Sequence, residues 1–327
     1  MGEPLVTIVM ATYNPNLIWL KEQLVSLNEQ TYRNINLIVC DDSTTTISFE
    51  ELYKIVENSI TAFPFRILQN EMNKGSNKTF ERLTKEANGD FIVYCDQDDI
   101  WEKDKIEKLT KAMQEPNVTL AYSDMSLIDE KGYIFSKSIA KTRRRFYYYS
   151  GEDLWRHLLI RNFISGCCMI IKTDVAKKAV PFIDGIHHDR WLAIVASVEG
   201  NIRFVNETLV RYRQHGENQT GVLKDVCDKV SYCKIRLIAH KNILIEIQNR
   251  IEHKENIYAF LVTNLKEMDA RIKWFYGDKS SFFSMLKIIP KNYVTIIFEI
   301  LLPFFSDKQI KRILLAASTL ESSRCKT

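Results

Sequence analysis

None of the seven cysteines, Cys40, Cys95, Cys167, Cys168, Cys227, Cys233 and Cys325, forms a Cys-x-x-Cys pair. That excludes the usual structural zinc spacings, and the odd number fits a reducing cytosol better than a disulfide framework. The chain has no G-x-G-x-x-G and no G-x-x-x-x-G-K-S/T, so neither a Rossmann fingerprint nor a P-loop is available to hold phosphate. It also lacks a long hydrophobic run. The longest, Tyr293 to Phe305, is short and interrupted by Glu299, and no transmembrane span is expected. The first residues enter a strand pattern without the basic-then-apolar order of a secretory signal, so a cytoplasmic location is expected.

What is present is ample. With 327 residues, 46% hydrophobic and 26% charged, the chain can bury a core as one large domain or two modest ones. The net charge of +4 is uneven: residues 224–327 hold 18 Lys and Arg against 11 Asp and Glu, leaving 27 against 30 before them. The expected division is therefore 1–223 and a basic helical region, 224–327.

The most informative stretch is FIVYCDQDDIW, Phe91 to Trp101. Phe91 to Cys95 reads as a buried strand that stops on Asp96, Asp98 and Asp99. Unpaired carboxylates at a buried strand end are costly, so a cation or donors are expected there. Asp96-x-Asp98 suits Mg²⁺ or Mn²⁺, which keep waters and recruit substrate phosphates. Equally open on this stretch alone is a strand-to-helix turn with Asp99 as cap of a helix over 102–114. Around it, strands at Leu5–Met10, Ile35–Cys40 and Phe65–Leu68 alternate with helical patterns at Leu17–Leu27, Glu50–Ser59 and Thr79–Ala87. Such alternation predicts an α/β fold with a mostly parallel sheet and helices on both faces. Ligands of such sheets bind outside the carboxyl ends of the strands. Three strands here end on Thr12-Tyr13-Asn14, Asp41-Asp42 and Asp96-x-Asp98, so one polar edge is expected.

Those ends, together with Asn73-Lys74-Gly75 and Asp96-Gln97-Asp98-Asp99-Ile100-Trp101, resemble the successive motifs of family 2 glycosyltransferases of the GT-A fold. Asn162 to Met169 (NFISGCCM), His188-Asp189-Arg190-Trp191 and Leu209 to Gly216 (LVRYRQHG) resemble a bacterial subgroup that includes rhamnosyltransferases of cell-wall and capsule polysaccharides. The likeness covers about residues 4–221.

The resemblance implies roles. Asp41 accepts the N3–H of a uracil or thymine ring, Thr12, Tyr13 and Asn14 line the nucleotide pocket, and Asn73, Lys74, Gln97 and Arg213 meet ribose or diphosphate. Asp96 faces the donor, Asp98 binds Mg²⁺ or Mn²⁺, and His215 completes the metal shell or touches the diphosphate. Asp189 is the base that takes the acceptor proton, which requires a partly desolvated carboxyl. Gly166, Cys167, His188, Trp191 and Trp101 line the acceptor pocket, although the two tryptophans could equally be core. His187 stands where processive synthases carry Gln, so transfer of one or a few sugars is expected.

The implied activity is inverting, metal-dependent transfer from a dTDP- or UDP-sugar, with dTDP-L-rhamnose favoured, to a glycan or lipid-linked saccharide. A UDP-glucose or UDP-galactose enzyme and a non-catalytic nucleotide-sugar-binding subunit are the rivals. A pyrophosphorylase would need a Gly-rich basic loop after the first strand, and Thr12-Tyr13-Asn14-Pro15 is not one. Beyond Gly221 a helical hairpin is expected, and Phe282 to Leu320 mixes apolar residues with lysines. That region either rests on the inner face of the membrane or packs on the protein, as in a homodimer. The basic run Lys141 to Arg145 before Tyr147-Tyr148-Tyr149 is weak evidence for nucleic acid, and none is expected.

Overall fold

A computed structural model describes residues 2–142, 146–216, 226–251, 255–310 and 312–313. The chain divides into two compact units, 1–182 with 186–216, and 183–185 with 217–327. The expected boundary at 223/224, three residues of the basic run (143–145) and 314–320 of the tail lie outside the described residues.

The first unit is built on a nine-stranded sheet. Its strands are β1 Val6–Thr12, β2 Ile35–Asp41, β3 Phe65–Gln69, β4 Phe91–Cys95, β5 Ile100–Trp101, β6 Val118–Ile128, β7 Ile134–Ser136, β8 Met169–Lys172 and β9 Asn201–Arg213. They lie in the order β3-β2-β1-β4-β8-β6-β9-β5, with β7 paired to β6. β3, β2, β1 and β4 are parallel, as crossover helices require. Beyond β4 the pairing is mixed: β8 runs antiparallel to β4 and β6, and β9 is parallel to β6. β9 starts at Asn201, eight residues before the strand expected from Leu209, because its first half is only partly buried and lacks a continuous apolar signal.

Alternation divides the core between the two faces. Val6, Ile8 and Met10 of β1, with Ile35, Leu37 and Val39 of β2, pack with Leu20, Leu24 and Leu27 of α1 (Leu17–Asn28) and Leu52 and Val56 of α2 (Phe49–Ser59). The opposite face carries Tyr94, whose ring meets Phe80 of α3 (Ser76–Glu86) and whose hydroxyl bonds Thr84 at 2.7 Å. Caps start the first two helices: Asn16 Oδ1 accepts from the N–H groups of Ile18 and Trp19, and Ser48 Oγ from Glu51.

Register brings the strand ends level. Thr12 of β1 pairs with Asp41 of β2, which pairs with Gln69 of β3, while Met10 pairs with Cys95, one residue before Asp96. The expected helix over 102–114 is α4, Lys105–Ala112, with Asp104 at its cap position. Asp99 is not its cap, since β5 intervenes.

The second unit is helical. Ala239–Arg250 packs on Glu255–Phe275 as the expected hairpin, followed by Phe282–Ile288 and Tyr293–Leu301. Glu299, the charge that interrupts the apolar run, is buried; Arg271 holds both its oxygens at 2.5 and 2.7 Å and the Tyr232 hydroxyl adds a bond at 2.8 Å. Among the described residues no helix is long and apolar enough to cross a membrane.

Candidate active site

At the ends of β1 and β2, Asp41 is buried and accepts from the Thr44 N–H at 3.1 Å and from Gln69 Nε2 at 3.0 Å. A carboxylate has more acceptor capacity than those two bonds use. Thr12 Oγ1 lies beside it in sequence register, buried and without a hydrogen-bond partner. Asn14 is left-handed (φ 42°), a conformation Asn tolerates, and its Oδ1 accepts from the Thr45 N–H at 2.8 Å. Tyr13 is 45% exposed.

Asp42 is a residue whose role the sequence did not disclose. Its Oδ1 accepts from the Lys74 N–H at 2.9 Å and Asn70 Nδ2 at 2.6 Å, and its Oδ2 from the Gly75 N–H at 2.8 Å. This carboxylate fixes the Asn73-Lys74-Gly75 loop, with Asn73 Oδ1 also accepting from Gly75, and leaves the Lys74 side chain exposed. Gly75 has φ +80°, which an L side chain rarely adopts.

The turn after β4 concentrates charge. Asp98 Oδ2 lies 2.7 Å from His215 Nε2. Asp96, Asp99 and Cys167 bring possible ligand atoms within 4.8 Å of one another. Asp99 accepts from the Arg213 N–H at 3.0 Å, while its buried Oδ2 has no partner. Burial, then the charges of Asp98 and Asp189, push the Asp96 carboxyl up to about 7. Burial likewise carries Asp99 well above the carboxylate range. Clustered acids with an orphaned buried oxygen, and a carboxylate–imidazole pair beside them, fit a divalent cation of the Mg²⁺ or Mn²⁺ kind. One resident positive charge nearby is Lys105, fully buried and pushed down to about 8 by that burial. Its Nζ donates to the Cys167 carbonyl at 2.5 Å and sits 3.1 Å from the centre of the Trp101 ring.

Asp189 opens the helix His188–Glu199. Its Oδ1 accepts from Asn162 Nδ2 at 3.1 Å and from the Arg190 N–H at 2.5 Å, and the Gly166 N–H also bonds the carboxylate. Burial outweighs these bonds and raises its pKa above the ordinary value. The Arg190 guanidinium turns away, to the carbonyls of Leu158 and Leu159. The His188 ring packs on Phe80 at 4.3 Å and Tyr94 at 5.4 Å, and burial lowers its pKa to about 3, so it is neutral. A Cβ on Gly166 would stand 2.7 Å from His188 Nε2, which explains the glycine.

The structure thus gathers Asp41 and Thr12 at one end of the edge, and Asp96, Asp98, His215, Asp189, Gly166, His188 and Cys167 around the acidic turn. Several expected ligands are something else. Trp101 is 2% and Trp191 1% exposed, the latter donating its indole N–H to the Ala179 carbonyl at 2.7 Å; neither offers a face to a sugar. Arg213 is fully buried and its guanidinium is spent on Glu22 and the carbonyls of Asp98, Asp129 and Glu130, so it meets no phosphate. Gln97 spends both ends of its amide on the Tyr13 backbone, at 2.9 and 3.1 Å, and ties β1 to β4. Asn162 and Lys105 were not assigned from sequence; NFISGCCM contains the first, but only three-dimensional contact gives either a role.

The model of the family described as "Glycosyl transferase family 2" matches residues 7–178. An Escherichia coli relative, the UDP-Glc:alpha-D-GlcNAc-diphosphoundecaprenol beta-1,3-glucosyltransferase WfgD, is 28% identical over 63% of this chain and 75% of its own. The dTDP-rhamnosyl transferase RfbG of Shigella flexneri is 28% identical over 71% of this chain and 80% of its own. Among solved structures, S. aureus TarS 1-349 superposes with a TM-score of 0.56 at 15% identity, covering 91% of this chain and 80% of that one. The mannosyltransferase PcManGT from Pyrobaculum calidifontis, solved with GDP-Man and Mn2+, gives 0.56 at 14% identity over 99% and 87%. At these identities the two structures speak for the fold alone.

Proposed function

The chain belongs to glycosyl transferase family 2, and from that membership we propose that it transfers a sugar, with inversion, from a nucleoside diphosphate donor to a growing bacterial surface glycan. The observation that carries the reading is the meeting of Asp96, Asp98 with His215, and Asp189 at one sheet edge that also ends in Asp41. Asp41 takes the pyrimidine N3–H, with Thr12, Tyr13 and Asn14 around it, while Asn73 and Lys74 meet the ribose or diphosphate. Asp98 and His215, with Asp96 beside them, would hold Mg²⁺ or Mn²⁺. A cation bound there supplies Lewis-acid stabilisation of the departing diphosphate. Asp189, partly desolvated and oriented by Asn162 and Gly166, removes the proton of the acceptor hydroxyl. The freed oxygen attacks the anomeric carbon from the side opposite the leaving group. Gly166, Cys167 and His188 form the acceptor side.

L-Rhamnose from dTDP-L-rhamnose is our choice of donor, supported by the LVRYRQHG segment and the likeness to RfbG. UDP-glucose is the second reading, favoured by the similarity to WfgD. The acceptor is a lipid-linked saccharide at the cytoplasmic face. Peripheral membrane contact has support from Phe283 and Phe304, each 74% exposed, with the exposed lysines Lys279, Lys287 and Lys308 within a few residues of them in sequence. Pairing of two chains through those residues is the alternative, distinguished by vesicle flotation against light scattering. Donor choice is tested by thermal shift with dTDP-rhamnose and UDP-hexoses, with and without Mn²⁺. A larger metal-dependent shift with dTDP-rhamnose supports the first choice, a UDP-sugar preference replaces it, and no shift with any donor supports a non-catalytic subunit.

A further inference from the structure

The buried guanidinium of Arg213 lies at the centre of a network that no catalytic reading requires. Its Nε donates to the Asp98 carbonyl at 2.8 Å and its backbone N–H to Asp99 Oδ1 at 3.0 Å. Nη1 reaches the carbonyls of Asp129 and Glu130, each at 3.2 Å, and Nη2 pairs with Glu22 at 2.5 Å. Its carbon sits 5.3 Å from the centre of the Trp19 ring. The same ring stands 4.9 Å from that of His215, and the Trp19 indole N–H donates to the Glu130 carbonyl at 3.1 Å.

Glu22 and Trp19 are three residues apart on α1 and therefore share a face. That face holds both members of the Asp98–His215 pair from behind: Asp98 through its backbone and Arg213, His215 through the ring of Trp19. Charge adds a second effect. A guanidinium next to a cation site repels the cation, and in a buried setting that repulsion is weakly screened. Glu22, paired with Nη2, offsets it.

We propose that Glu22, Arg213 and Trp19 are positioning residues for a divalent cation at Asp98 and His215, with Glu22 neutralising Arg213 so that the cation is tolerated. This rests on the metal reading above. Groups that orient metal ligands cost about 10–100-fold in metal affinity or activity when changed. Glu22→Gln is the informative variant, because Glu22 is 42% exposed and the substitution keeps its shape while removing the carboxylate that pairs with Arg213. Mn²⁺ binding to the full chain is followed by electron paramagnetic resonance, with and without a nucleoside diphosphate. The expected results are Mn²⁺ affinity at least about tenfold weaker than wild type for Glu22→Gln and for Trp19→Leu. Turnover of Glu22→Gln should return at saturating Mn²⁺, with the metal-free melting temperature near that of wild type. Metal rescue separates positioning from a merely structural role. Equal Mn²⁺ affinity in wild type and Glu22→Gln overturns this inference and leaves the metal reading standing; a wild type that binds no Mn²⁺ overturns both.

Discussion

Lys105 Nζ and the Cys167 carbonyl oxygen, 62 residues apart in sequence, meet at 2.5 Å behind the acidic turn. The bond ties α4 to the Gly166–Cys168 turn, and the ammonium lies against the Trp101 ring within electrostatic reach of Asp99. Lys105→Met keeps the length and removes the charge. The orphaned carbonyl costs about 1–3 kcal/mol, offset by relief of the buried charge. Stability by urea unfolding should change little, while turnover falls at least about tenfold as the turn loosens. Wild-type turnover in the variant would refute a functional role.

Burial holds the Asp189 proton above the ordinary carboxylate pKa. A base acts only when ionised, so kcat/KM should climb with pH through that raised value and then level. Asp189→Asn should retain donor binding by thermal shift and lose at least about 10²-fold in transfer. A variant that still transfers would place the base elsewhere.

His188 gives a different pH signature, in stability. Its native pKa is about 3, against 6.5 for an unhindered imidazole. Between those values the unfolded chain binds a proton that the native state refuses, so stability is present above 6.5 and is lost as pH falls. His188→Gln should flatten the melting-temperature profile over that window, even if it lowers the curve. An unchanged slope would assign the acid sensitivity to other groups.

Gly166→Ala tests the contact above the turn. The new methyl would meet His188 Nε2 at 2.7 Å and Asp189 Cβ at 3.6 Å, and His188 is wedged against Phe80 and Tyr94. Displacement of the Asp189 carboxylate by even an ångström should lower kcat by about 10²-fold with donor affinity retained. Steady-state kinetics with varied donor would expose a KM effect instead.

Trp191→Phe should act only on the fold. It removes the indole N–H that satisfies the Ala179 carbonyl, for a loss of about 1–3 kcal/mol, and should leave the acceptor KM unchanged. A raised KM would restore Trp191 to the acceptor site.

Residue type and strand rhythm made the sheet edge legible, because parallel strands joined by crossover helices must end on the same side and here they end on acids. The antiparallel β8 was hidden: four residues following a short turn carry too little pattern to reveal direction. Chemistry alone also misassigned Arg213, Trp101 and Trp191. A guanidinium suits phosphate and an indole suits a sugar, but what each meets was set by distant partners. For Arg213 that partner is Glu22, 191 residues earlier. Lys105 escaped for the same reason, since on an amphipathic helix a lysine is ordinarily solvated.

The separation of 191 positions between Glu22 and Arg213 also bears on how the protein is made. At roughly 5–20 residues per second, a ribosome delivers Glu22 some 10–40 s before the arginine that completes its pair. During that interval β1 to β4 can already align, but the acidic turn lacks β9, His215 and the Arg213 donors. Mutually repelling carboxylates should therefore keep that end of the nascent sheet hydrated and open until β9 is threaded beside β6. The closing of this edge is thus a late event in synthesis, and a ribosome stalled before residue 201 would hold the parallel strands without the one that carries Arg213.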